Sequence, residues 1–444
     1  MQGMPMTEPV YDVELTTSAP EAADALRVAV AESLEHRLSA MEHVKAALAA
    51  DPEFVMGLAM RAAMMLQIGS AQVHPKIAET LDKAKAGAKG VTCREQMHLA
   101  ALEHWLAGNL TRAGDVWQEI IDDCPHDILA LRLHHNASFW TGDRDRLRSA
   151  PMQVIEKIGE DAPASAFVMG MCAFGLEESG DYQRAESFGR RAVERNSDDL
   201  WALHAVAHVL EMQCRYGEGC ELLDRPFGTW SDRNPFKDHL WWHSALFWLE
   251  SGDTARVLEL YDREVRVDES GFYLDVQNAA SLLKRLELVG VGVGERWEEL
   301  ADLAQSRTGD HVMPFTDAHF MLALTGAGRI DAARGYVSSL RDFAREESNQ
   351  VAGVTRDINV PLCEGLLACA EGRYGEAADA LYDIRDDLSP MGASHAQRDI
   401  FRQVLIDAAM RAGQTDRARA LLEERKAQRP GSAWAKERLQ ELAS

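Results

Sequence analysis

The feature that most constrains the fold is a turn marker, almost always glycine, that separates two apolar helical stretches and recurs along the chain. Its intervals run from 34 residues, between Gly108 and Gly142, to 44 residues, between Gly328 and Gly372. The ten markers are Gly69, Gly108, Gly142, Gly180, Cys214, Gly252, Gly290, Gly328, Gly372 and Gly413. One helix pair cannot bury its own apolar face, so the pattern predicts a stack of pairs with one continuous core.

The clearest repeat, at 166–197, indicates that each unit is a pair of helices. Met169, Ala173 and Leu176 are spaced by four and three residues, as one face of a helix requires. A second apolar stripe follows the glycine, over 182–192. Helix, tight turn and helix in about 34 residues is typical of tetratricopeptide repeats. The sequence therefore predicts an all-α fold, a tetratricopeptide-like α-solenoid or superhelix of about ten antiparallel helix pairs.

A small residue five positions after the marker supports this prediction, because it lets the two helices of a pair approach closely. It occurs as Ala113, Ala185, Gly219, Ala333, Ala377 and Ala418. The loose consensus indicates a degenerate array, with longer polar loops expected at 306–313 and 348–357. We expect a flexible segment at residues 1–18, which are polar and acidic, and one superhelical domain at 19–444.

Composition restricts what such a protein binds and where it works. Its formal net charge is −24, which argues against nucleic acid and against a membrane surface, since both are bound through Lys and Arg. No stretch reaches about 18 uncharged apolar residues, so no transmembrane helix is expected. The beginning of the chain lacks the apolar core of a signal peptide. With seven cysteines and no CxxC pair, we expect reduced thiols and a cytoplasmic location.

Histidines concentrate on the first helices of consecutive repeats, which usually line the concave surface of such solenoids. His204, His208 and Glu211 stand at i, i+4 and i+7, so they share one helical face. In the next first helix, His239 and His243 again stand at i and i+4. The spacing predicts that these side chains face the same inner space.

Further polar residues occupy comparable positions on neighbouring first helices. Trp242 stands beside the second histidine pair, Asp275 follows one repeat later, and Asp317 and His319 follow in the repeat after that. His135 lies upstream, in the segment LHHN. Adjacent first helices pack about 8–10 Å apart, so these side chains can converge on one pocket.

The residues leave several kinds of site open. A polar groove would grip a carboxylate or peptide terminus, and acid–base catalysis would use imidazoles that titrate near neutrality. A divalent metal would be held by the two HxxxH pairs; otherwise the histidines simply bond backbone carbonyls. The candidate ligand-binding residues are His135, Glu211, His239, Trp242, Asp275 and Asp317. The candidate catalytic residues are His204, His208, His243 and His319, and the candidate metal ligands are His204, His208, His239 and His243.

Several segments, in order along almost the whole chain, resemble the tetratricopeptide repeat protein 38 family of bacteria and animals. The matching segments are LTTSAPEAADAL, LHHNASFWTGD, HAVAHVLEMQ, HLWWHSALFWLESGD, SLLKRLELVGVGVGERW and SHAQRDIFRQVLIDAA. The resemblance implies a cytosolic, degenerate tetratricopeptide superhelix. It implies no assured activity.

The resemblance adds one site residue, Arg398, in the segment SHAQRD. The residues that match the family motif there are His395, Gln397, Arg398 and Asp399. The resemblance implies that Arg398 is an anion-binding group near the end of the inner surface. The residues alone predict a helix N-terminus at the same place, with Ser394 as N-cap and Gln397 at capping-box spacing.

These observations predict a protein that binds a small anionic metabolite or a peptide terminus in a histidine-rich concave pocket. The alternative is an enzyme of the hydrolase or lyase type, with or without a metal cofactor, that uses the same histidines and carboxylates. A third alternative is a protein–protein interaction scaffold. The expected partners are a small molecule or a peptide terminus, and the sequence leaves a homodimer open.

Overall fold

The computed structural model describes residues 9–443, which fold into helices joined by short turns. The helices are α1 (Pro20–Leu34), α2 (Ala40–Ala50), α3 (Val55–Leu66), α4 (His74–Gly87), α5 (Cys93–Leu106), α6 (Leu110–Asp123), α7 (Ile128–Thr141), α8 (Arg144–Ile158), α9 (Ser165–Glu178), α10 (Tyr182–Arg195), α11 (Leu200–Met212), α12 (Tyr216–Leu223), α13 (Phe236–Glu250), α14 (Thr254–Leu260), α15 (Tyr273–Leu288), α16 (Arg296–Ser306), α17 (Pro314–Gly326), α18 (Ile330–Glu346), α19 (Gln350–Val354), α20 (Val360–Ala370), α21 (Tyr374–Ile384), α22 (His395–Arg411), α23 (Thr415–Gln428) and α24 (Ala433–Glu441). None of these described helices is long and apolar enough to cross a membrane.

The turn markers lie where the sequence predicts them, each between the two helices of a pair. All ten have a positive φ, from 58° at Cys214 to 85° at Gly252. A Cβ is strained in this left-handed region, which explains why nearly all the markers are glycine. The fold is an all-α, tetratricopeptide-like α-solenoid of antiparallel helix pairs, and the prediction of its class is confirmed.

The small residues after the markers are buried in the second helix of their pairs, as the sequence predicts. Gly219 shows the reason, because a Cβ added there would lie 2.5 Å from the ring of Phe247. A larger side chain at this position would push α12 away from α13. Close approach within each pair therefore depends on these positions.

One helix pair escapes the marker pattern. Helices α1 and α2 pack against each other as a further pair at the beginning of the array. Their turn contains His36 with a φ of 60° instead of a glycine. The side chain of His36 is buried, so packing holds this residue in a conformation that glycine adopts without strain elsewhere in the chain.

The predicted polar loop at 348–357 is wrong. Asn349 caps α19 by accepting the backbone N–H of Ala352, and a π-helical turn over Thr355–Asn359 continues into α20. The side chain of Asn359 is buried and donates to Asp317. The segment is therefore mostly helical, with Arg356 and Asp357 on its exposed side.

The chain packs as two compact units. Unit 1 contains the residues up to Val206 together with Asp232–Asn234, and unit 2 contains Ala207–Ser231 and the residues from Pro235 onward. The division falls within α11. The sequence predicts one domain over residues 19–444, and that boundary stays a prediction.

Within unit 2, the first helices of consecutive pairs stack on one another. α13 contacts α15, α15 contacts α17, and α17 contacts α20. α22 belongs to a later pair but also contacts α15. Residues far apart in sequence therefore meet on the inner side of this unit.

Residues 9–18 pack within unit 1. Tyr11 is fully buried, and Thr16 donates its backbone N–H and its hydroxyl to the Glu95 carboxylate at 2.9 and 2.7 Å. These contacts anchor the second half of the segment for which the sequence predicts flexibility. The first half of that prediction, on residues 1–8, lies outside the described residues.

Candidate functional site

A cavity of about 230 Å³ lies on the inner side of unit 2. Its charged and amide lining consists of Glu211, Glu250, Arg285, Asp399, Gln403, Arg425, Arg429 and Glu437. Leu246, Leu249, Val289 and Trp434 supply most of its apolar wall. Gly252 and Glu437 are exposed at the rim, whereas Glu211 and Arg285 are buried. The cavity therefore runs from the surface to a floor of buried charges.

Helices from five different parts of the unit position these side chains. α11 carries Glu211, α13 carries Glu250, α15 carries Arg285, α22 carries Asp399 and Gln403, and α23 carries Arg425 with Arg429 just after its end. Asp399 and Gln403, like Arg425 and Arg429, stand at i and i+4 and so share a helical face. The charged floor therefore comes from helical spacing combined with the return of α22 and α23 to α11, α13 and α15.

Glu211 joins a histidine to an arginine. Nδ1 of His243 lies 3.0 Å from Oε2 of Glu211, and Nη1 of Arg429 donates to Oε1 at 3.4 Å. Burial alone would raise the pKa of Glu211, but the hydrogen bond from His243 and the charge of Arg429 outweigh it and lower the pKa to about 2. Glu211 is therefore a carboxylate at neutral pH.

Asp399 is the second buried carboxylate of the floor. It pairs with Arg425, lies 3.9 Å from Nη1 of Arg429 and accepts the amide of Gln403 at 2.7 Å. Burial opposes its ionisation, but the charges of Arg425, Arg429 and Arg285 hold its pKa well below its usual range. The Asp399 carboxylate therefore neutralises much of the positive charge of Arg425 and Arg429.

Arg285 differs from the other two arginines of the cavity. It donates to the backbone carbonyls of Ser281 at 3.2 Å and Ala396 at 3.1 Å, and it lies 5.4 Å above the ring of Trp242. No carboxylate of the described residues lies within 4 Å of its guanidinium. Burial lowers its pKa to about 10, so it remains a cation at neutral pH. Arg285 is a buried positive charge that contacts carbonyl dipoles and an aromatic face, and it has no ion-pair partner in the described part of the chain.

Three of the predicted histidines meet in unit 2. One ring nitrogen of each of His208, His239 and His243 lies within 4.8 Å of those of the other two. The ring centroids of His208 and His243 are 4.5 Å apart, and those of His239 and His243 are 4.8 Å apart. All three side chains are buried. The two helices that carry HxxxH pairs thus bring imidazoles together, as the sequence predicts.

Trp242 stands between this histidine group and the cavity. Its ring stacks on His239 with centroids 5.1 Å apart, and its indole N–H donates to the hydroxyl of Ser281 at 3.0 Å. It also makes an edge contact with His243, with centroids 4.8 Å apart, and lies under the guanidinium of Arg285. Trp242 therefore holds Arg285 in position, and its assignment as a ligand-binding residue stays a prediction.

Asp275 lies on α15 with its carboxylate bonded to the hydroxyl of Ser270. Its Oδ1 is buried without a hydrogen-bond partner among the described residues. Burial raises its pKa to about 7, and the nearby carboxylate of Asp238 adds to this effect. The predicted ligand-binding role of Asp275 stays a prediction, but its ionisation is costly.

The raised pKa of Asp275 predicts a pH dependence of stability. The folded state holds this proton more tightly than the unfolded chain, whose aspartate pKa is about 3.9, so the contribution is complete below that value and is lost as pH rises towards 7. We expect Asp275→Asn to reduce the fall in unfolding free energy between pH 5 and pH 8 by about 2–4 kcal/mol. Urea titrations of both proteins at the two pH values measure this difference, and an identical pH slope would contradict it.

The other predicted residues of unit 2 have separate surroundings. Asp317 accepts the hydroxyl of Tyr336 at 2.6 Å, the ring nitrogen of His311 at 3.1 Å and the amide of Asn359 at 3.3 Å. His319 donates Nδ1 to the carbonyl of Phe315 at 2.7 Å. Burial lowers the pKa of His319 to about 3. These contacts tie both side chains into the helix packing, and their site roles stay predictions.

Arg398 holds the loop before α22. Its guanidinium donates to the backbone carbonyls of Gly392, at 3.0 Å, and Ala393. The capping box that the sequence predicts at this helix start is present, with Ser394 and Gln397 bonded to each other's backbone N–H. The anion-binding role of Arg398 stays a prediction.

His204 and His135 belong to unit 1. The ring of His204 stacks on Phe174 at 5.3 Å and lies 5.1 Å from Trp201. His135 makes edge contacts with the same two rings, at 5.9 and 5.4 Å. Burial lowers the pKa of His135 well below its usual value. Both histidines sit in an aromatic cluster of this unit, and their catalytic, metal and ligand roles stay predictions.

Six charged or amide residues of the cavity lining were not singled out from the sequence, namely Glu250, Arg285, Gln403, Arg425, Arg429 and Glu437. The only sequence signal is the i, i+4 spacing of Arg425 and Arg429, which is also common on exposed helices. Arg285 lies within one of the segments that resemble the tetratricopeptide repeat protein 38 family, but nothing in its neighbours marks it as buried. Only the packing of α22 and α23 against earlier helices reveals the group.

No family model matches the chain. Solved structures of helical repeat proteins are among those similar to it. Yeast Tom70 has a TM-score of 0.39 at 12% identity, covering 95% of this chain and 88% of that one. The structure of Naa15/Naa10 bound to HypK-THB has a TM-score of 0.27 at 12% sequence identity and covers 90% of this chain and 62% of that one. The pentatricopeptide repeat protein PPR10 from maize has a TM-score of 0.30 at 11% sequence identity and covers 94% of this chain and 69% of that one. At such low identities and scores, the repeat fold is assigned from the helix order and turn geometry of this chain.

Proposed function

We propose that the protein binds a small molecule through its carboxylate group, or the carboxyl terminus of a peptide, in the cavity of unit 2. The observation that carries this proposal is Arg285. It is 3% exposed, lines the cavity and has no carboxylate of the described residues within 4 Å. A planar guanidinium binds a carboxylate through paired hydrogen bonds, and such pairs are strong where water is excluded.

The charges around the cavity support an anion at Arg285. Glu211 is compensated by Arg429 and His243, and Asp399 is compensated by Arg425. The carboxylates of the floor are therefore already bound by other groups. Arg285 has only carbonyl dipoles and the face of Trp242, and a buried cation without a counter-ion is unfavourable. An anionic ligand would remove that penalty.

Arg425 offers a second point of attachment. Its Nε and Nη2 are buried and have no hydrogen-bond acceptor among the described residues, although Nη2 lies 3.9 Å from Glu250. The residue is 6% exposed and lines the same cavity. Buried donors are normally satisfied, so an acceptor supplied by a ligand would complete this guanidinium.

The size and the rim of the cavity limit the ligand. A volume of about 230 Å³ is roughly eight times the share of one water molecule in the liquid, about 30 Å³. It fits a small metabolite or a terminal residue, but not a helix. Glu250 and Glu437 lie at the outer part of the cavity and disfavour further negative charges. A monocarboxylate or a zwitterion therefore fits better than a polycarboxylate.

Calorimetric titration with dialanine, glycolate and citrate tests the proposal. We expect dialanine and glycolate to bind more tightly than citrate because of the rim carboxylates. Arg285→Met keeps the length of the side chain and removes the guanidinium, and we expect it to weaken binding by about tenfold or more, since a charge-assisted bond contributes about 1.5–3 kcal/mol.

Arg266→Met is the matched control for that substitution. Arg266 is also a buried arginine of unit 2, but it pairs with Glu299 at 2.7 Å and does not line the cavity. The control should bind dialanine and glycolate as the unchanged protein does. Equal affinity in the Arg285→Met protein, or no heat of binding with any of the three compounds, would contradict the proposal.

A second candidate function is an enzyme of the hydrolase or lyase type. It is favoured by the three imidazoles of His208, His239 and His243, which could supply a base or hold a metal next to the cavity wall formed by Glu211. The scaffold alternative needs no buried charge and is less well supported by this geometry. We also propose that the protein belongs to the tetratricopeptide repeat protein 38 family and that it is located in the cytoplasm.

A further inference from the structure

The histidine group of unit 2 differs from ordinary core histidines in the arrangement of its nitrogens. One ring nitrogen from each of His208, His239 and His243 lies within 4.8 Å of the other two nitrogens. The side chains are 0%, 3% and 0% exposed, respectively. His319 of the same unit shows the ordinary alternative, because its ring bonds a carbonyl of its own helix and packs between Phe315 and Phe401.

Two of the three imidazoles are oriented by partners outside the group. Nδ1 of His243 lies 3.0 Å from the carboxylate of Glu211, and Nδ1 of His239 lies 2.8 Å from Oδ1 of Asn278. Both acceptors fix the proton on Nδ1, which leaves Nε2 of each ring as the electron-pair donor. Histidines that bind metals almost always have their other ring nitrogen held in this way.

We propose that His208, His239 and His243 bind one divalent transition metal ion, with zinc as the best match. Nε2 of His239, Nε2 of His243 and one ring nitrogen of His208 are its protein ligands. Imidazole nitrogen is a favoured ligand of zinc, and three protein ligands leave a position for water or an anion. Glu211 stands in the outer shell, where its negative charge offsets part of the charge of the ion.

Zinc requires a modest contraction of the group. Three nitrogens at about 2.0–2.1 Å from one ion lie closer together than the present spread. The three histidines come from only two helices, α11 and α13, so the contraction needs rotation about side-chain bonds and no rearrangement of a third helix. α11 also carries Glu211, whose carboxylate accepts a hydrogen bond from Arg429. Glu211 is thus held beside His243 in the absence of an ion.

Metal binding to the full chain, with any histidine tag removed, tests this inference. The protein is loaded with Zn²⁺, dialysed and measured by elemental analysis, and a parallel sample with Co²⁺ is measured by visible absorption. We expect one retained zinc per chain and the intense absorption bands of four-coordinate cobalt. His243→Gln should abolish retention, and Glu211→Gln should weaken the affinity by about 10–100-fold.

His319→Gln is the matched control, since it alters a buried histidine of the same unit outside the group, and it should retain the metal. Circular dichroism establishes that each variant is folded. If His243→Gln does not fold, the Glu211→Gln affinity and the cobalt spectrum of the unchanged protein decide. Loss of zinc on dialysis of the unchanged protein, or equal retention by a folded His243→Gln protein, overturns the inference. Arg285→Met should retain the metal, which separates this test from that of carboxylate binding.

Discussion

Gly175→Ala is expected to destabilise unit 1 by about 3 kcal/mol or more, although it adds only one methyl group. Gly175 lies on α9 where the helix crosses α8, and an added Cβ would clash with the carbonyl oxygen of Leu147 and lie 2.7 Å from the Cα of Arg148. These neighbours are backbone atoms, which cannot turn away as a flexible side chain can. Overpacking that forces backbone shifts costs about 1–3 kcal/mol or more, and it outweighs the usual helical preference for alanine.

Gly335→Ala is the control for this substitution. Gly335 is an exposed glycine within α18, and a Cβ added there meets nothing within 4 Å. We expect it to stabilise the protein by about 0.5–1 kcal/mol, because alanine loses less backbone entropy in a helix. Urea titration measures the change in unfolding free energy, and hydrogen exchange of the backbone amides of α8 and α9 measures the local effect. A Gly175→Ala protein as stable as the unchanged protein would mean that α8 and α9 are not in close contact.

Asp399→Ala is expected to cost about 3–5 kcal/mol of stability in unit 2, because it removes a buried charge while leaving its partners in place. Asp399 pairs with Arg425, lies near Arg429 and bonds to Gln403. Without the Asp399 carboxylate, the buried guanidinium groups of Arg425 and Arg429 would lose a negative charge that offsets their mutual repulsion. The unfolding free energy from urea titration at pH 7 measures the loss, and a small loss would show that water solvates these arginines.

Asp379→Ala is the matched control for the Asp399 substitution. Asp379 also accepts an arginine, Arg417 of α23, but it lies on the exposed side of the array. Exposed ion pairs are screened by water and salt, so this substitution should leave stability nearly unchanged. High salt should not rescue Asp399→Ala, because the affected charges are buried.

Much of the fold could be predicted because its determinants are local. A positive φ favours glycine for local steric reasons, so nine glycine markers between Gly69 and Gly413 reveal their turns one by one, and only Cys214 departs from the pattern. The exceptions show the limit of this reasoning. The turn at His36 is held by burial, and the segment before α20 stays helical because Asn359 bonds to Asp317. Neither reason is visible within a short window of sequence.

The candidate site was only partly predictable because it depends on which helices meet. Spacing along one helix grouped His239 with His243, whose ring centroids lie 4.8 Å apart. Spacing could not show that Arg285 reaches α22, where it bonds the carbonyl of Ala396. It also could not separate Arg425 from the many arginines of exposed helices. Such contacts are set by packing between repeats, which no single repeat encodes.

The last helices of the chain complete the cavity, and this has a consequence for synthesis. Arg425, Arg429 and Trp434 follow Glu211 in the sequence, so they leave the ribosome after it. A nascent chain with its early repeats already folded therefore still lacks the floor and one wall of the pocket. A chain that ends before α23 would therefore fold in part but lack the cavity that those residues line.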